Sequence, residues 1–213
     1  MELFGVVSCI LIVQALFHFK KLLTTYVLDI TFNIFVRRYV KSMELFILRH
    51  GEAGQRSSQA SDRTRPLTTA GKGEIVEIAK ALKIIGLKFD VIVTSPLKRA
   101  YDTAMIVSDI FKIGNRVQTW NELAPEGKRT EVYRKISELR EDYTVLIVGH
   151  QPLLGEIIND MIHKQKSSPS NLLLKKAGIV RIRLLSKSNI PKGELRWLLS
   201  PRILKNIYKK SPK

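Results

Sequence analysis

Three short strings carry side chains able to grip and attack an anion: Leu48-Arg49-His50-Gly51-Glu52, Ser95-Pro96-Leu97-Lys98-Arg99-Ala100 and Val148-Gly149-His150-Gln151-Pro152. Each follows an apolar, β-branched run, so each puts a cation or an imidazole where a strand ends and a turn or helix begins. In a mainly parallel sheet such ends lie along one edge, where ligands bind. Two arginines and two histidines, spread over about a hundred residues of chain, thereby converge on one small anion. Arg49 and Arg99 can each fork onto phosphate oxygens. Arg99 falls in the first turn of a helix, where free N–H groups and the dipole favour an anion as well. A neutral imidazole at His50 is a competent nucleophile toward phosphorus, giving a phosphohistidine that water then hydrolyses. His150 can donate hydrogen bonds to the equatorial oxygens where charge builds. Phosphoryl transfer asks mainly for positioning and charge stabilisation, which this set supplies.

Rival chemistries lack their residues. A metal site wants three or four His, Asp, Glu or Cys ligands. Of the four histidines, His18 and His163 lie away from the strand ends, and arginines repel a cation. No metal is expected. A Walker-type phosphate loop and a serine nucleophile elbow are both absent from the sequence. The single cysteine, Cys9, excludes a disulfide framework and a thiolate-rich metal site. It suits a reducing cytoplasm, the expected location.

These residues need a scaffold to position them. The chain has 213 residues, 45% hydrophobic and 26% charged, which fits one globular α/β domain with a real core. Glu44–Leu48, Phe89–Thr94 and Thr144–Val148 read as buried strands. Ile75, Ile78, Ala79, Leu82 and Ile85 recur at helical spacing, with a threonine cap before them and Gly86 as a stop. Ser95 and Pro96 read as a cap and a first-turn proline for a helix reaching Phe111. Further helices are expected over Glu131–Arg140 and Pro152–Ile162, a short strand near Asn115–Trp120, and a closing hairpin of Ala177–Leu185 with Glu194–Leu199. Gly51–Arg65 and Asn121–Lys128 read as loops, and His163–Asn171 as a polar linker. Strands alternating with helices predict a three-layer αβα sandwich on a mainly parallel sheet.

Residues 1–42 stand apart as an N-terminal extension to a domain spanning 43–213. Leu3–Phe17 is uncharged and is followed by Lys20-Lys21, but it falls short of the roughly 20 apolar residues of a spanning helix. Glu2 stands where a secretory signal would be basic. Three readings are open. The segment precedes a true start at Met43, or it anchors the protein at the cytoplasmic face of a membrane, or it is an amphipathic element packed on the domain. The formal charge is +17, a field that attracts phosphorylated proteins, nucleic acid or anionic lipid. With no nucleic-acid-binding motif to focus it, no specific nucleic-acid partner is expected. A basic binding module with a vestigial pocket is the reading from a different class. Such a pocket should have lost one of Arg49, His50, Arg99 or His150, and all four are present.

In these strings the chain resembles the histidine phosphatase superfamily, of phosphoglycerate mutase-like fold, and most closely its short SixA-type branch. Arg49-His50-Gly51-Glu52-Ala53 resembles the opening of that branch, and Arg65-Pro66-Leu67-Thr68 with Gly71 its second block. Ser95–Ala100, Glu122–Gly127, Gly149–Leu153 and Trp197 with Ser200-Pro201 resemble the others, in the same order over about 43–204. The resemblance implies that His50 is the phosphorylated nucleophile, that Arg49, Arg99 and His150 complete the phosphate pocket, and that no cofactor and no metal is used. It puts Glu122 where the superfamily often keeps a proton donor, and leaves Arg65 either facing the pocket or joining a basic rim. The implied substrate is phosphohistidine in a protein. A small phosphate ester, handled by a phosphomonoesterase or mutase of the same superfamily, is the alternative.

Overall fold

A computed structural model describes residues 42–55, 61–163 and 172–211. Of the N-terminal extension only Ser42 lies among them, so the three readings of that segment fall outside the described residues, as does most of the polar linker. The strands are β1 (Glu44–Arg49), β2 (Val91–Thr94), β3 (Val117–Thr119), β4 (Thr144–Gly149), β5 (Ile179–Ser186) and β6 (Lys192–Leu199). The helices are α1 (Thr69–Ile84), α2 (Lys98–Phe111), α3 (Arg129–Glu138), α4 (Leu153–Ile162) and α5 (Pro201–Lys210).

All six strands form one sheet in the order β3-β2-β4-β1-β5-β6. The four from β3 to β1 run parallel, and β5 and β6 add an antiparallel hairpin beside β1. Period-two alternation along the strands sorts the core into two layers. Leu45, Ile47, Val91, Val93, Val145 and Ile147 face α3 and α4, meeting Val132, Ile136, Leu154 and Ile157. Phe46, Leu48, Ile92, Leu146 and Val148 face the other way, onto Ile75, Ile78, Leu82, Ala104 and Leu204 from α1, α2 and α5. Each fully buried Leu or Ile contributes about 1.5–3 kcal/mol. The architecture is the αβα sandwich read from the sequence.

Local chemistry sets the helix ends near the site. Thr68 caps α1, its hydroxyl accepting from the Gly71 N–H at 2.9 Å. Gly86 closes that helix at φ +81, a conformation glycine adopts at no steric cost. Two features depart from the sequence reading. Leu97, not Ser95, is the residue flanking α2, which starts at Lys98; Pro96 and Ser95 lie in the turn before it. The C-terminal helix α5 is absent from the sequence reading. It has Pro201 at its first position and is strongly basic, with Leu204 its one fully buried side chain. Its apolar residues Leu204, Ile207 and Tyr208 fall on one face, which packs along α1, but the basic residues around them mask that stripe in the sequence.

Candidate active site

Strand order brings the three strings together. β4 lies between β1 and β2, and all three run parallel, so their C-terminal ends share one edge. Arg49 pairs with Gly149 and Thr94 with Val148. The next residues, His50, His150 and Ser95, therefore leave the sheet side by side. The register holds past the strand ends: the His50 N–H donates to Gly149 O at 3.2 Å and the Ser95 N–H to Val148 O at 3.0 Å. The imidazole rings of His50 and His150 lie 4.9 Å apart. A cavity of about 500 Å³ opens above them, lined by Arg49, His50, Asp62, Arg63, Arg65, Arg99, Glu126, His150, Gln151 and Lys176, among others.

Hydrogen bonds fix the chemistry of each ring. His50 Nδ1 is 2.7 Å from Gly51 O. A carbonyl only accepts, so the proton is on Nδ1 and the lone pair on Nε2. Into that lone pair Arg99 Nε donates, at 3.3 Å. His150 Nε2 is 2.8 Å from the Ser95 hydroxyl, which itself accepts from the Leu97 N–H at 3.3 Å. With Ser95 as the donor, the His150 proton sits on Nδ1, a buried atom with no protein partner among the described residues. A bound oxyanion would satisfy it. The His50 pKa is lowered to about 4, by burial first, with Arg99, Arg49 and Arg65 acting in the same direction and the Gly51 carbonyl opposing. His150 is lowered to about 3, by burial first and then by His50 and Arg99, with Asp62 opposing. Both rings are therefore neutral at physiological pH, the state a nucleophilic nitrogen needs.

The arginines are held at fixed points around this centre. Arg99, 4% exposed, sits in the first turn of α2. Its Nη1 donates to Asp62 O at 2.8 Å and its Nη2 pairs with the Asp62 carboxylate at 3.0 Å. Arg49 Nη1 donates to Leu174 O at 2.8 Å, while its buried Nε has no protein partner among the described residues; burial also lowers its pKa from the ordinary value. Thr103, one turn along α2 from Arg99, accepts from the Gly51 N–H at 3.1 Å and donates to Arg99 O at 2.7 Å. It thus ties the two strings to each other. Gly51 is needed for space: a Cβ there would lie 2.8 Å from Ile75 Cγ1.

Two candidate residues resolve differently. Arg65 lines the cavity; its Nη2 pairs with Asp62 at 2.8 Å and its Nη1 donates to Gly54 O at 2.9 Å. Glu122 does not line it. Its carboxylate pairs with Lys135 of α3 at 2.8 Å, and the hydrogen bond from Lys135 lowers its pKa below the usual carboxylate range. That geometry opposes the proton-donor reading, because a general acid needs a raised pKa and a place beside the substrate. The acid lining the cavity from this loop is Glu126, paired with Arg63 at 3.1 Å. Asp62, Ser95 and Thr103 are the site residues that sequence reasoning missed. The sequence marks Ser95 only as a cap, and Asp62 lies in a polar loop where nothing marks its partner 37 residues away.

An αβα fold whose parallel strand ends surround one well with two neutral imidazoles and two guanidiniums is built to handle phosphoryl groups. Comparison with known proteins agrees. Residues 45–125 match the histidine phosphatase superfamily (branch 1). Over 132 residues the chain is 32% identical to the phosphohistidine phosphatase SixA homolog of Haemophilus influenzae, covering 58% of this chain and 79% of that protein. Over 165 residues it is 29% identical to the phosphohistidine phosphatase SixA of Escherichia coli, covering 76% and 97%. A solved structure of the protein histidine phosphatase SixA complexed with tungstate matches with a TM-score of 0.67 and 28% identity, over 76% of this chain and 99% of that one. The chain belongs to the histidine phosphatase superfamily, in its SixA-type branch, and is a phosphatase.

Proposed function

We propose that the protein hydrolyses phosphohistidine in proteins through a covalent phosphohistidine at His50, without a metal ion. The observation that carries this is the His50 ring, with its Nδ1 proton on Gly51 O and its Nε2 lone pair facing Arg99. Nε2 attacks phosphorus, the P–N bond to the substrate imidazole breaks, and its electron pair stays on that ring nitrogen, which takes up a proton. Water then attacks phosphorus, the bond to Nε2 breaks, its electron pair returns to His50, and a proton leaves the water as phosphate departs. Arg49, Arg99 and His150 hold the oxygens through both steps.

The leaving group argues for an N-phosphate. With Glu122 ion-paired to Lys135, that carboxylate is in no position to protonate a departing alkoxide. Imidazole is a far better leaving group and needs less help. The relatives named phosphohistidine phosphatase support the same substrate for this chain. So does the mouth of the cavity, where Arg63 and Glu126 meet as a solvent-exposed pair that a protein surface displaces at little cost.

The test is a dephosphorylation assay of the full chain in EDTA. A phosphohistidine protein is offered beside p-nitrophenyl phosphate and phosphoglycerate, with His50→Ala as control. Preferred turnover of the phosphohistidine protein, lost in the variant, is the expected result. Turnover of small esters alone would assign the protein as a small-molecule phosphomonoesterase instead.

A further inference from the structure

One acid in the cavity wall has no part in the chemistry above. Asp62 begins a short 3-10 turn, Asp62–Thr64, with the Ser61 hydroxyl capping it. Its two carboxylate oxygens meet two different guanidiniums, Oδ2 at Arg99 Nη2 (3.0 Å) and Oδ1 at Arg65 Nη2 (2.8 Å). Its main-chain oxygen accepts from Arg99 Nη1 at 2.8 Å. One residue thus engages both outer nitrogens of Arg99, while Nε, the inner one, points at His50 Nε2. The Asp62 side chain is one-third exposed, 32%, and lines the cavity. Substrate therefore meets this carboxylate. Among the described residues the lining around it carries Arg49, Arg63, Arg65, Arg99 and Lys176 against Asp62 and Glu126. Glu126 pairs with Arg63 out at the rim, both side chains at least 60% exposed. Asp62 is the acid that contacts a residue touching His50.

Without Asp62, Arg99 and Arg65 would present two guanidinium forks side by side next to the phosphoryl position, a strong clamp for a second anionic group. With it, those forks hold an internal carboxylate that an incoming one must displace. We infer that Asp62 is a specificity-determining residue: it excludes phosphate esters whose leaving group bears a carboxylate and admits leaving groups that are neutral or cationic. Discrimination here comes from a built-in repulsive element more than from an added attraction. The inference deepens the phosphohistidine reading and rests on it for the favoured leaving group, an imidazole that is cationic once protonated.

The test compares full-chain wild type with Asp62→Asn and Asp62→Glu on three substrates: p-nitrophenyl phosphate, 3-phosphoglycerate and a phosphohistidine peptide. Asparagine keeps the size and an acceptor for Arg99 but removes the charge. The ratio of kcat/KM for phosphoglycerate to that for p-nitrophenyl phosphate should rise about tenfold in Asp62→Asn, mainly through KM. Asp62→Glu should restore the wild-type ratio, and the phosphohistidine peptide should lose ground to p-nitrophenyl phosphate in the asparagine variant. An equal fall for all three substrates, as expected if Asp62 merely holds Arg99, would overturn the inference, and so would an unchanged ratio. Should the asparagine variant fail to fold, inhibition of wild-type p-nitrophenyl phosphate turnover decides. Tungstate binding at least tenfold more tightly than 3-phosphoglycerate is expected, and equal or tighter phosphoglycerate binding would overturn the inference. If the peptide is not a substrate, the phosphohistidine reading fails while the phosphoglycerate ratio still reads the charge.

Discussion

At the floor of the cavity, His50, Arg99 and His150 are at most 7% exposed; the two histidines sit just past parallel strand ends and Arg99 in the first turn of α2. At the rim, Arg63 and Glu126 meet as an ion pair with side chains 60% and 65% exposed. Lys176 and Glu52 do the same at 3.4 Å, both about half exposed. The floor is held by ladder register and buried hydrogen bonds, which are expensive to leave unmade. The rim is held by surface ion pairs worth about 0–1 kcal/mol each. Chemistry is thus fixed where the fold is stiff, and access is left where rearrangement costs little. Asp62 lies between the two, bound to the floor through Arg99 and lining the cavity with a side chain one-third exposed.

The sharpest way to break this contrast is at its centre. His50→Ala should lower turnover of any phosphorylated substrate by about 10³-fold or more, with far-ultraviolet circular dichroism unchanged. A drop of less than tenfold would remove His50 from the chemistry. Next is Arg99→Ala, expected to cost about 10²–10³ in kcat; steady-state kinetics on p-nitrophenyl phosphate would show it. Arg99→Lys should recover only part, since the lysine ammonium has no fork to bond Asp62 and His50 together.

The pH profile comes third. In the proposed mechanism His50 attacks as the neutral ring, and its folded pKa is about 4. Measured kcat/KM should therefore be level from pH 8 to 5 and fall about tenfold per unit below 4. A break near 6.5 would show a solvated ring. Stability carries the same sign. In the unfolded chain these histidines titrate near 6.5, so between about 6.5 and 4 the unfolded state binds more protons. Stability is full above 6.5 and is lost as pH falls toward 4. Thermal melts across pH 7 to 5 should show Tm falling, less so in His50→Ala.

Smaller effects sharpen the boundary. Ser95→Ala removes one buried hydrogen bond to His150 and should cost about fivefold in kcat. At the rim, Arg63→Ala should change kcat/KM for p-nitrophenyl phosphate by less than fivefold. Glu122→Gln should leave kcat within about twofold, since its ion pair with Lys135 lies outside the cavity; a loss of a hundredfold would restore its reading as proton donor.

How much of this was legible in the sequence follows from where each signal resides. β1, β2 and β4 announced themselves as short apolar runs, and the arginines and histidines stood at their ends. Parallel order then did the rest, because strand ends in such a sheet share an edge. Contacts reaching across the chain carried no such mark. Asp62 sits in a loop rich in Ser, Arg and Gln, and its bond to Arg99 exists only once the short Asp62–Thr64 turn and α2 come together. Only resemblance marks Glu122, and what turns it aside is Lys135, thirteen residues on. The helix α5 did leave a trace, Ser200-Pro201 followed by Leu204, Ile207 and Tyr208 at helical spacing, but its basic composition hid the apolar stripe.

The central claim is that the phosphoryl group passes through His50. The direct measurement is rapid-quench labelling of the full chain with a ³²P-phosphohistidine peptide, stopped in alkali and mapped by peptide. The account predicts one alkali-stable, acid-labile label per chain on the peptide holding His50, formed before free phosphate appears and absent in His50→Ala. Phosphate release with no label at any quench time, or a label retained in His50→Ala, would contradict it.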